Sequence, residues 1–279
     1  MLEEYAMKRD GEAQVFIGAL MILPAVALGT VAMICGGVSP VLWGQQVAAW
    51  AVLALLTWLL HRTSVRVSAE VLSVFLLIFL AVTLLGQEAG GARRWVDLIV
   101  FHVNAAHLVL PALIVISHSL KKPCIALLGA AFILSFQPDL SQLTALSAAA
   151  IPVLWRQGKK QTWLSLLILG VLWIRCMNIP ITLEPEPCSE GILAMLADVS
   201  HLLRVMGWAA IMIVPVCGLF QFCKTGKAQA LSIALYYAVS LLFALTGEYP
   251  VLFMGFGLSP IAGYYLAYVC RLVSERRYT

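Results

Sequence analysis

Apolar residues gather into ten stretches along this chain, near positions 14–37, 39–60, 70–86, 98–119, 122–136, 141–156, 162–178, 192–222, 228–246 and 250–272. Short polar junctions separate them. A helix crosses a bilayer with about 20 mostly apolar residues, so the pattern predicts an all-α polytopic membrane protein of about ten transmembrane helices. The fifth and sixth stretches are short. They read as two crossings in preference to one re-entrant hairpin turning at Pro138, which the pattern also allows; irregular backbone at that depth must be covered by protein or face water. Small residues at Ala25, Gly29, Ala32 and Gly36, and again at Gly255, Ser259 and Gly263, have the spacing that lets helices approach closely. No repeat or low-complexity tract interrupts the pattern. Residues 1–279 therefore read as a single integral membrane domain, with a short cytoplasmic tail at 1–13 and an extracytoplasmic loop at 179–190.

Charge orients the bundle. Of the 18 Lys and Arg residues, 14 fall in the amino terminus, in alternate junctions or in the carboxyl terminus. Positive charge is retained on the cytoplasmic face during insertion, which makes both ends cytoplasmic. Inner loops then carry Arg62 and Arg66, Lys121 and Lys122, Arg156 with Lys159 and Lys160, and Lys224 with Lys227; the tail adds Arg271, Arg276 and Arg277. The outer junctions are 36–40, 87–97, 137–139, 179–190 and 247–250. Composition agrees: 62% hydrophobic residues, 11% charged residues and a mean hydropathy of +0.94 leave more apolar surface than a soluble chain of 279 residues could bury. The net charge of +4 is spread over many loops and offers no nucleic-acid surface. Residues 1–12 form a mixed-charge tail before an apolar run long enough to remain as an anchor, so no cleavable signal is expected. Seven cysteines show no CxxC pair and no metal-ligand spacing. Cys176 and Cys188 both lie near the outer face, and a bridge between them stays open.

Ionisable residues within lipid-spanning segments are costly and usually face protein or a wet cavity. The eighth stretch carries Asp198, His201 and Arg204 at spacings of three, which on one helix would let each reach the next. They read either as a buried ladder pinning this helix to its neighbours or as the wall of a hydrophilic outer cavity that Arg175 shares. His102 and His107, in the fourth stretch, lack a carboxylate at metal-ligand spacing and read as packing histidines. The outer junctions are acidic (Glu88, Asp97, Asp139, Glu184, Glu186, Glu190 and Glu248) except for Arg93 and Arg94, which are followed by Trp95. A guanidinium fork suits a phosphate or carboxylate; the plainer reading is a pair of arginines reaching lipid headgroups or neighbouring carboxylates.

These residues, in this order, resemble the SEDS family (shape, elongation, division and sporulation) of peptidoglycan polymerases. Gly91-Ala-Arg-Arg-Trp95 is similar to the family's segment between its third and fourth helices. Gln137-Pro-Asp-Leu140 matches its Gln-Pro-Asp-Leu-Gly element, with Ser141 in place of the glycine. Pro250-Val-Leu-Phe-Met-Gly-Phe-Gly-Leu-Ser259 resembles Pro-Leu-Pro-Phe-x-Ser-Tyr-Gly-Gly-Ser, preceded by Thr246-Gly247. The chain departs from the family at His102-Val-Asn-Ala105, where Gln-Pro-Ser-Glu is usual, at Gly255-Phe256, and in the much shorter outer loop at 179–190.

The resemblance implies a SEDS-like bundle in a bacterial cytoplasmic (inner) membrane. It implies a glycosyltransferase that polymerises lipid II, a lipid-linked disaccharide precursor. The C4 hydroxyl of one sugar attacks the anomeric carbon of another and expels an undecaprenyl diphosphate. Pro185-Glu-Pro-Cys-Ser-Glu190-Gly-Ile-Leu-Ala194 corresponds to the segment bearing the family's proposed general base and sets Glu190 where the family carries aspartate. Arg93 and Arg94, with Trp95 and a divalent cation (Mg or Mn), would hold the diphosphate, and Asp139 would fix its turn. The family's usual partner is a class B penicillin-binding protein, sought first along the eighth and ninth helices. Two alternatives stand beside catalysis: a non-catalytic SEDS-like protein that binds the lipid-linked precursor or scaffolds a cell-wall synthase, and a small-molecule transporter using the cavity at Asp198, His201 and Arg204.

Overall fold

Helices α1 (Leu2–Cys35) and α2 (Pro40–Arg62) pack side by side across the turn at 36–39, and α3 (Ala69–Val82) follows with a 3-10 turn, Thr83–Leu85. A two-stranded antiparallel hairpin comes next, β1 (Trp95–Leu98) with β2 (Phe101–Asn104), and leads directly into α4 (Ala105–Ser117). Then come α5 (Pro123–Phe136), α6 (Leu140–Trp155), α7 (Lys159–Met177), α8 (Ile192–Val199), α9 (His201–Cys223), α10 (Lys227–Ala244) and α11 (Leu258–Glu275). This computed structural model describes residues 2–63, 65, 67–86, 88, 90–98, 101–181, 185–223 and 226–275. Arg66, Glu184, Lys224, Arg276 and Arg277, used above for topology, lie outside them.

Local chemistry sets the helix starts. Ser68 accepts a hydrogen bond from the Val71 N–H, Asn104 from His107 and Asp139 from Gln142, each satisfying an orphan donor of a first turn. Proline opens α2 and α5, where its missing N–H costs nothing. With α8 and α9 counted together the described helices make ten units, the number that hydropathy predicts, and the chain is a polytopic membrane protein. Among the described residues three helices are long and apolar enough to cross a bilayer alone: Val15–Cys35, Pro40–Arg62 and Lys227–Ala244. Five others are apolar but shorter. At a rise of about 1.5 Å per residue, α5 and α6 reach only about 21 and 24 Å.

The short helices are the inner ones. Every residue of α4 except Leu108 is buried, and α3, α5, α6, α10 and α11 pack around it. By contrast α7 turns Trp163, Leu164, Leu167, Val171 and Ile174 outward, as a lipid-facing helix does.

Two expected spans are built differently. Hydropathy starts the fourth at 98, yet 95–98 and 101–104 pair as strands, with Asp97 opposite His102. Trp95-Val-Asp-Leu and Phe101-His-Val-Asn are rich in aromatic and β-branched residues, which favour a pleated ribbon, and an apolar average cannot separate a short strand from a helix. His102 is thus in a strand and His107 in a helix. The eighth span breaks at Ser200, whose extended backbone (φ −165°, ψ 136°) ends α8 before α9 begins.

The small-residue spacings mark close approach. A Cβ at Gly263 would lie 2.0 Å from the carbonyl oxygen of His107, and one at Gly29 would lie 2.0 Å from that of Met254. Both obstacles are backbone and cannot swing away. Gly263→Val and Gly29→Val are expected to cost several kcal/mol, on the order of the overpacking penalty or above it. Gly170→Ala, with open space around its Cβ, should be neutral or slightly stabilising through helix propensity. Thermal unfolding of purified protein in detergent or nanodiscs separates the two classes.

Candidate active site at the outer junctions

Arg94 ends the outer 87–94 segment just before β1. Its side chain runs inward, only 6% of the residue being exposed. Nη2 donates to the carbonyl oxygen of Pro138 at 3.2 Å, and Nε lies 3.4 Å from Oδ2 of Asp139, in ion-pair contact but not aligned as a hydrogen bond. The other carboxylate oxygen, Oδ1, accepts from Ser141 Oγ at 2.9 Å and from the Gln142 N–H at 3.3 Å. Asp139 therefore caps α6 and neutralises a buried arginine with the same group. Gln137 completes the motif by donating through Nε2 to the Leu80 carbonyl and to Thr83 Oγ1. This ties the α5–α6 turn to the end of α3.

Arg93 goes the other way. It is exposed, and its guanidinium binds Glu88 Oε2 (Nη2 at 3.1 Å, Nε at 3.3 Å) and the Leu84 carbonyl at 3.1 Å. Arg93 and Arg94, both expected at the diphosphate, point to opposite sides, as neighbours in an extended stretch do, one into the bundle and one to the surface. Trp95, half-buried, starts β1.

Glu190 closes a tight turn. The N–H groups of Ser189, Glu190 and Gly191 all donate to the Glu186 carbonyl, at 2.9, 3.0 and 3.2 Å, and Glu190 Oε2 accepts from the Glu186 N–H at 2.9 Å. The turn is fastened to the 250–259 motif. Phe256 N–H donates to the Cys188 carbonyl at 2.6 Å and Val251 N–H to that of Ser189 at 3.4 Å, while a Cβ at Gly255 would sit 2.8 Å from the Ser189 backbone. That contact accounts for a glycine where the family carries serine: the shortened loop lies directly on the motif.

Burial raises the Glu190 carboxyl above the usual glutamate value, helped by the neighbouring Glu186 charge. The Glu190 and Glu186 backbone N–H groups and the Arg94 charge act in the opposite sense. Tyr249, from the α10–α11 junction, lies over Arg94 with 5.8 Å between the guanidinium carbon and the ring centre. Burial pushes its phenol up, and Arg94 pulls it down. Arg94, Asp139, Tyr249 and Glu190 thus form one electrostatic cluster on the outer side, contributed by four junctions.

The remaining candidates lie elsewhere. Asp198 and His201 are exposed and sit on different helices, so the one-face ladder is not formed; only Arg204 Nη2 and His201 Nδ1 meet, at 3.1 Å. The break at Ser200 is the reason. Arg175, also exposed, stacks over Phe136 at 4.1 Å from the ring centre. Cys176 and Cys188 are both free thiols. Among the described residues no three His, Cys, Asp or Glu side chains converge as metal ligands, so the side chains do not fit a protein-held divalent cation. A narrow apolar seam between α9, α10 and the 250–259 motif, lined by Ile211, Val214, Tyr237, Leu241, Leu252 and Phe253, has no room even for a water molecule and nothing to bind a sugar.

Sequence reasoning missed Tyr249 and Gln142. Tyr249 stands in an outer junction beside Glu248, and its position among the outer residues was the available signal. Gln142 lies three residues after Asp139, at the spacing of a first helical turn, and Tyr236 donates to its Oε1 at 2.6 Å.

Removing one partner of a buried pair strands the other charge, at a cost of about 3–5 kcal/mol. Arg94→Ala and Asp139→Ala should each lower thermal stability strongly. Arg93→Ala, which breaks an exposed pair, should lose at most about 1 kcal/mol. Unfolding of the three variants in detergent checks the order; equal losses from Arg93→Ala and Arg94→Ala would contradict the division of roles.

No protein-family model and no curated protein sequence matches this chain. Two solved structures do match in three dimensions, both of the Thermus thermophilus rod shape determining protein RodA. A single-site mutant superimposes with a TM-score of 0.65 and the parent protein with 0.64. In each the identity is 19%, and the match covers 94% of this chain and 97% of the other. The chain has the fold of the SEDS protein RodA.

Proposed function

We propose that this chain is a SEDS-type glycosyltransferase of a bacterial cytoplasmic membrane that joins lipid-linked disaccharides at the outer surface. The observation that carries the reading is Glu190: a half-buried carboxyl, raised in pKa by desolvation, on the outer side of a RodA-like bundle. A general base works best with a pKa drawn toward the operating pH, and burial moves Glu190 in that direction.

The chemistry balances simply. The C4 hydroxyl oxygen of the acceptor sugar forms a bond to the donor's anomeric carbon, Glu190 takes the hydroxyl proton, and the bond from that carbon to the diphosphate oxygen breaks with its electron pair. The departing polyprenyl diphosphate gains negative charge. Arg93 is the arginine free to meet it, because its present partner, Glu88, is exposed and exchangeable. Arg94 stays with Asp139 and adds positive potential from beneath. Trp95 follows two residues after Arg93, and its indole would favour the headgroup interface. No step is assigned to a divalent cation.

A specific observation favours a second reading, a SEDS-like protein that binds the precursor without polymerising it. Both arginines already have carboxylate partners, and Glu190 already caps its own turn. A single-span transpeptidase partner, as the resemblance implies, would lie along the exposed apolar side chains of α9, among them Leu202, Val205 and Met206.

Glu190→Gln separates the readings, because the amide oxygen can still accept from Glu186 and keep the turn. Purified protein with labelled lipid II is expected to lose roughly 10²- to 10⁴-fold in polymerisation rate on this substitution, the usual worth of a general base, with thermal stability little changed. Wild-type protein that binds lipid II but makes no glycan would instead support the binder. The wild-type pH profile gives a further check. Glu190 acts only when ionised, so activity should fall as pH drops through its pKa, on a limb lying above that of an ordinary glutamate. The stability linkage has the opposite sign: a raised folded-state pKa favours folding at low pH, and this contribution is lost as pH rises through the folded value.

A further inference from the structure

Two inner loops distant in sequence form a single basic patch. Lys121 and Lys122 end the α4–α5 loop, Arg156, Lys159 and Lys160 mark the α6–α7 loop, and all five are exposed. Helix α5 packs against both α6 and α7, and Gln161 Nε2 donates to Cys124 Sγ at 3.0 Å, fastening the first turn of α7 to the first turn of α5. The four lysines thereby flank one joint. The starts of α5 and α7, at Lys122 and Gly158, have no side-chain cap, so their first N–H groups add to the positive potential of the lysines.

Orientation alone requires cations inside; the amino terminus and the α2–α3 segment supply them mixed with acids, and the α9–α10 segment supplies two lysines, Lys224 and Lys227, without an acid. Lys8 and Arg9 lie among Glu3, Glu4, Asp10 and Glu12, and Glu70 follows Arg62. The patch gathers five cations from two loops. No Asp or Glu occurs in 118–124 or in 154–163, and among the described residues none of its five cations makes an ion pair. Its field is therefore uncompensated by protein, directly at the level of the inner headgroups. Trp155 and Trp163, 60% and 67% exposed, bracket the α6–α7 loop. Indoles take up that depth where acyl chains meet headgroups, and below them Ile151, Leu164 and Leu167 continue an exposed apolar flank. Cations above, indoles at the boundary and aliphatics beneath match an anionic phospholipid from head to tail.

We propose that the Lys121–Lys122 and Lys159–Lys160 pairs, with Arg156, form a binding site for the phosphate headgroup of an anionic phospholipid of the inner leaflet, whose acyl chains lie against Trp155 and Trp163. The site is on the face opposite the Glu190 cluster and is independent of the reading of that cluster.

Native mass spectrometry of the full chain in detergent tests it, with phosphatidylglycerol and phosphatidylcholine as competing probes. The wild type should retain phosphatidylglycerol in preference, with retention falling as ionic strength rises. A cation beside an anionic surface contributes about fivefold in affinity. K121Q/K122Q/K159Q/K160Q should therefore weaken retention roughly 600-fold, whereas Lys227→Gln, in another inner segment, should leave it unchanged. K121R/K122R/K159R/K160R keeps the charge that orients insertion and should bind as wild type. Excess inorganic phosphate separates a lipid site from a free-anion site: it should fail to displace the lipid, because it lacks the acyl contacts. Equal retention of the two lipids by wild type, retention insensitive to salt, unchanged retention by the glutamine variant, or full displacement by phosphate would each overturn the proposal. Should the glutamine variant not fold, the wild-type lipid preference and its salt dependence decide alone.

Discussion

The outer half of this protein is organised around one buried ion pair, Arg94 with Asp139. An arginine taken out of water is tolerable only if its charge and donors are met. Here the turn between α5 and α6 supplies both, with a carboxylate for the charge and the Pro138 carbonyl for a donor. The same carboxylate starts α6, so the helix cannot shift without stranding the arginine. The arginine in turn anchors the hairpin: the Ala105 N–H donates to the Arg94 carbonyl at 3.1 Å, and Asn104, the next residue back, caps α4. Two junctions separated in sequence are locked by a contact whose loss leaves an uncompensated charge among apolar helices.

A second constraint operates through backbone rather than charge. Phe253 has a positive φ of 65°, a conformation costing a bulky residue on the order of 1–3 kcal/mol. Gln46 of α2 holds the peptide by donating to the Phe253 and Met254 carbonyls at 2.9 and 3.1 Å, and the ring packs against Tyr237 and Tyr264. The Met254 carbonyl also lies where a side chain at Gly29 would be, and Gly255 lies on Ser189. The 250–259 motif is therefore gripped from α1, α2, α10 and α11, and the Glu190 turn rests on its upper surface. Strain at Phe253 is held by the same packing that fixes the height of Glu190.

How far the sequence could be read depended on the length scale of each signal. The bundle was legible because lipid as solvent forces long apolar stretches and alternating charge, and both survive averaging over twenty residues. The Gln137-Pro-Asp-Leu140 element was legible because capping and turn chemistry act within four residues. The pairing of β1 with β2 and the break at Ser200 were not, since hydropathy weighs a strand and a helix alike. The parting of Arg93 from Arg94 was invisible for a different reason. Adjacent residues share every sequence property, and only the partners, Glu88 on the surface and Asp139 inside, tell them apart. Tyr249 entered the cluster through tertiary proximity, which no spacing encodes.

Glu190 shows how a structural and a chemical role can share one carboxylate. Its oxygen accepts the Glu186 N–H and steadies a turn that glycine at 191 makes possible, since a Cβ there would meet the Pro187 backbone at 2.9 Å. One N–H satisfies one lone pair. A carboxylate has about four, so capping leaves the group able to accept another proton or hydrogen bond, and it fixes the direction from which that partner must come. The shortened 179–190 loop fits this arrangement. A longer loop could position a base by folding over the site; a short one has to hold it through its own turn and through the motif beneath. Direct seating of Cys188 and Ser189 on 251–256 is what permits so few residues to bury half of a charged side chain at the membrane surface.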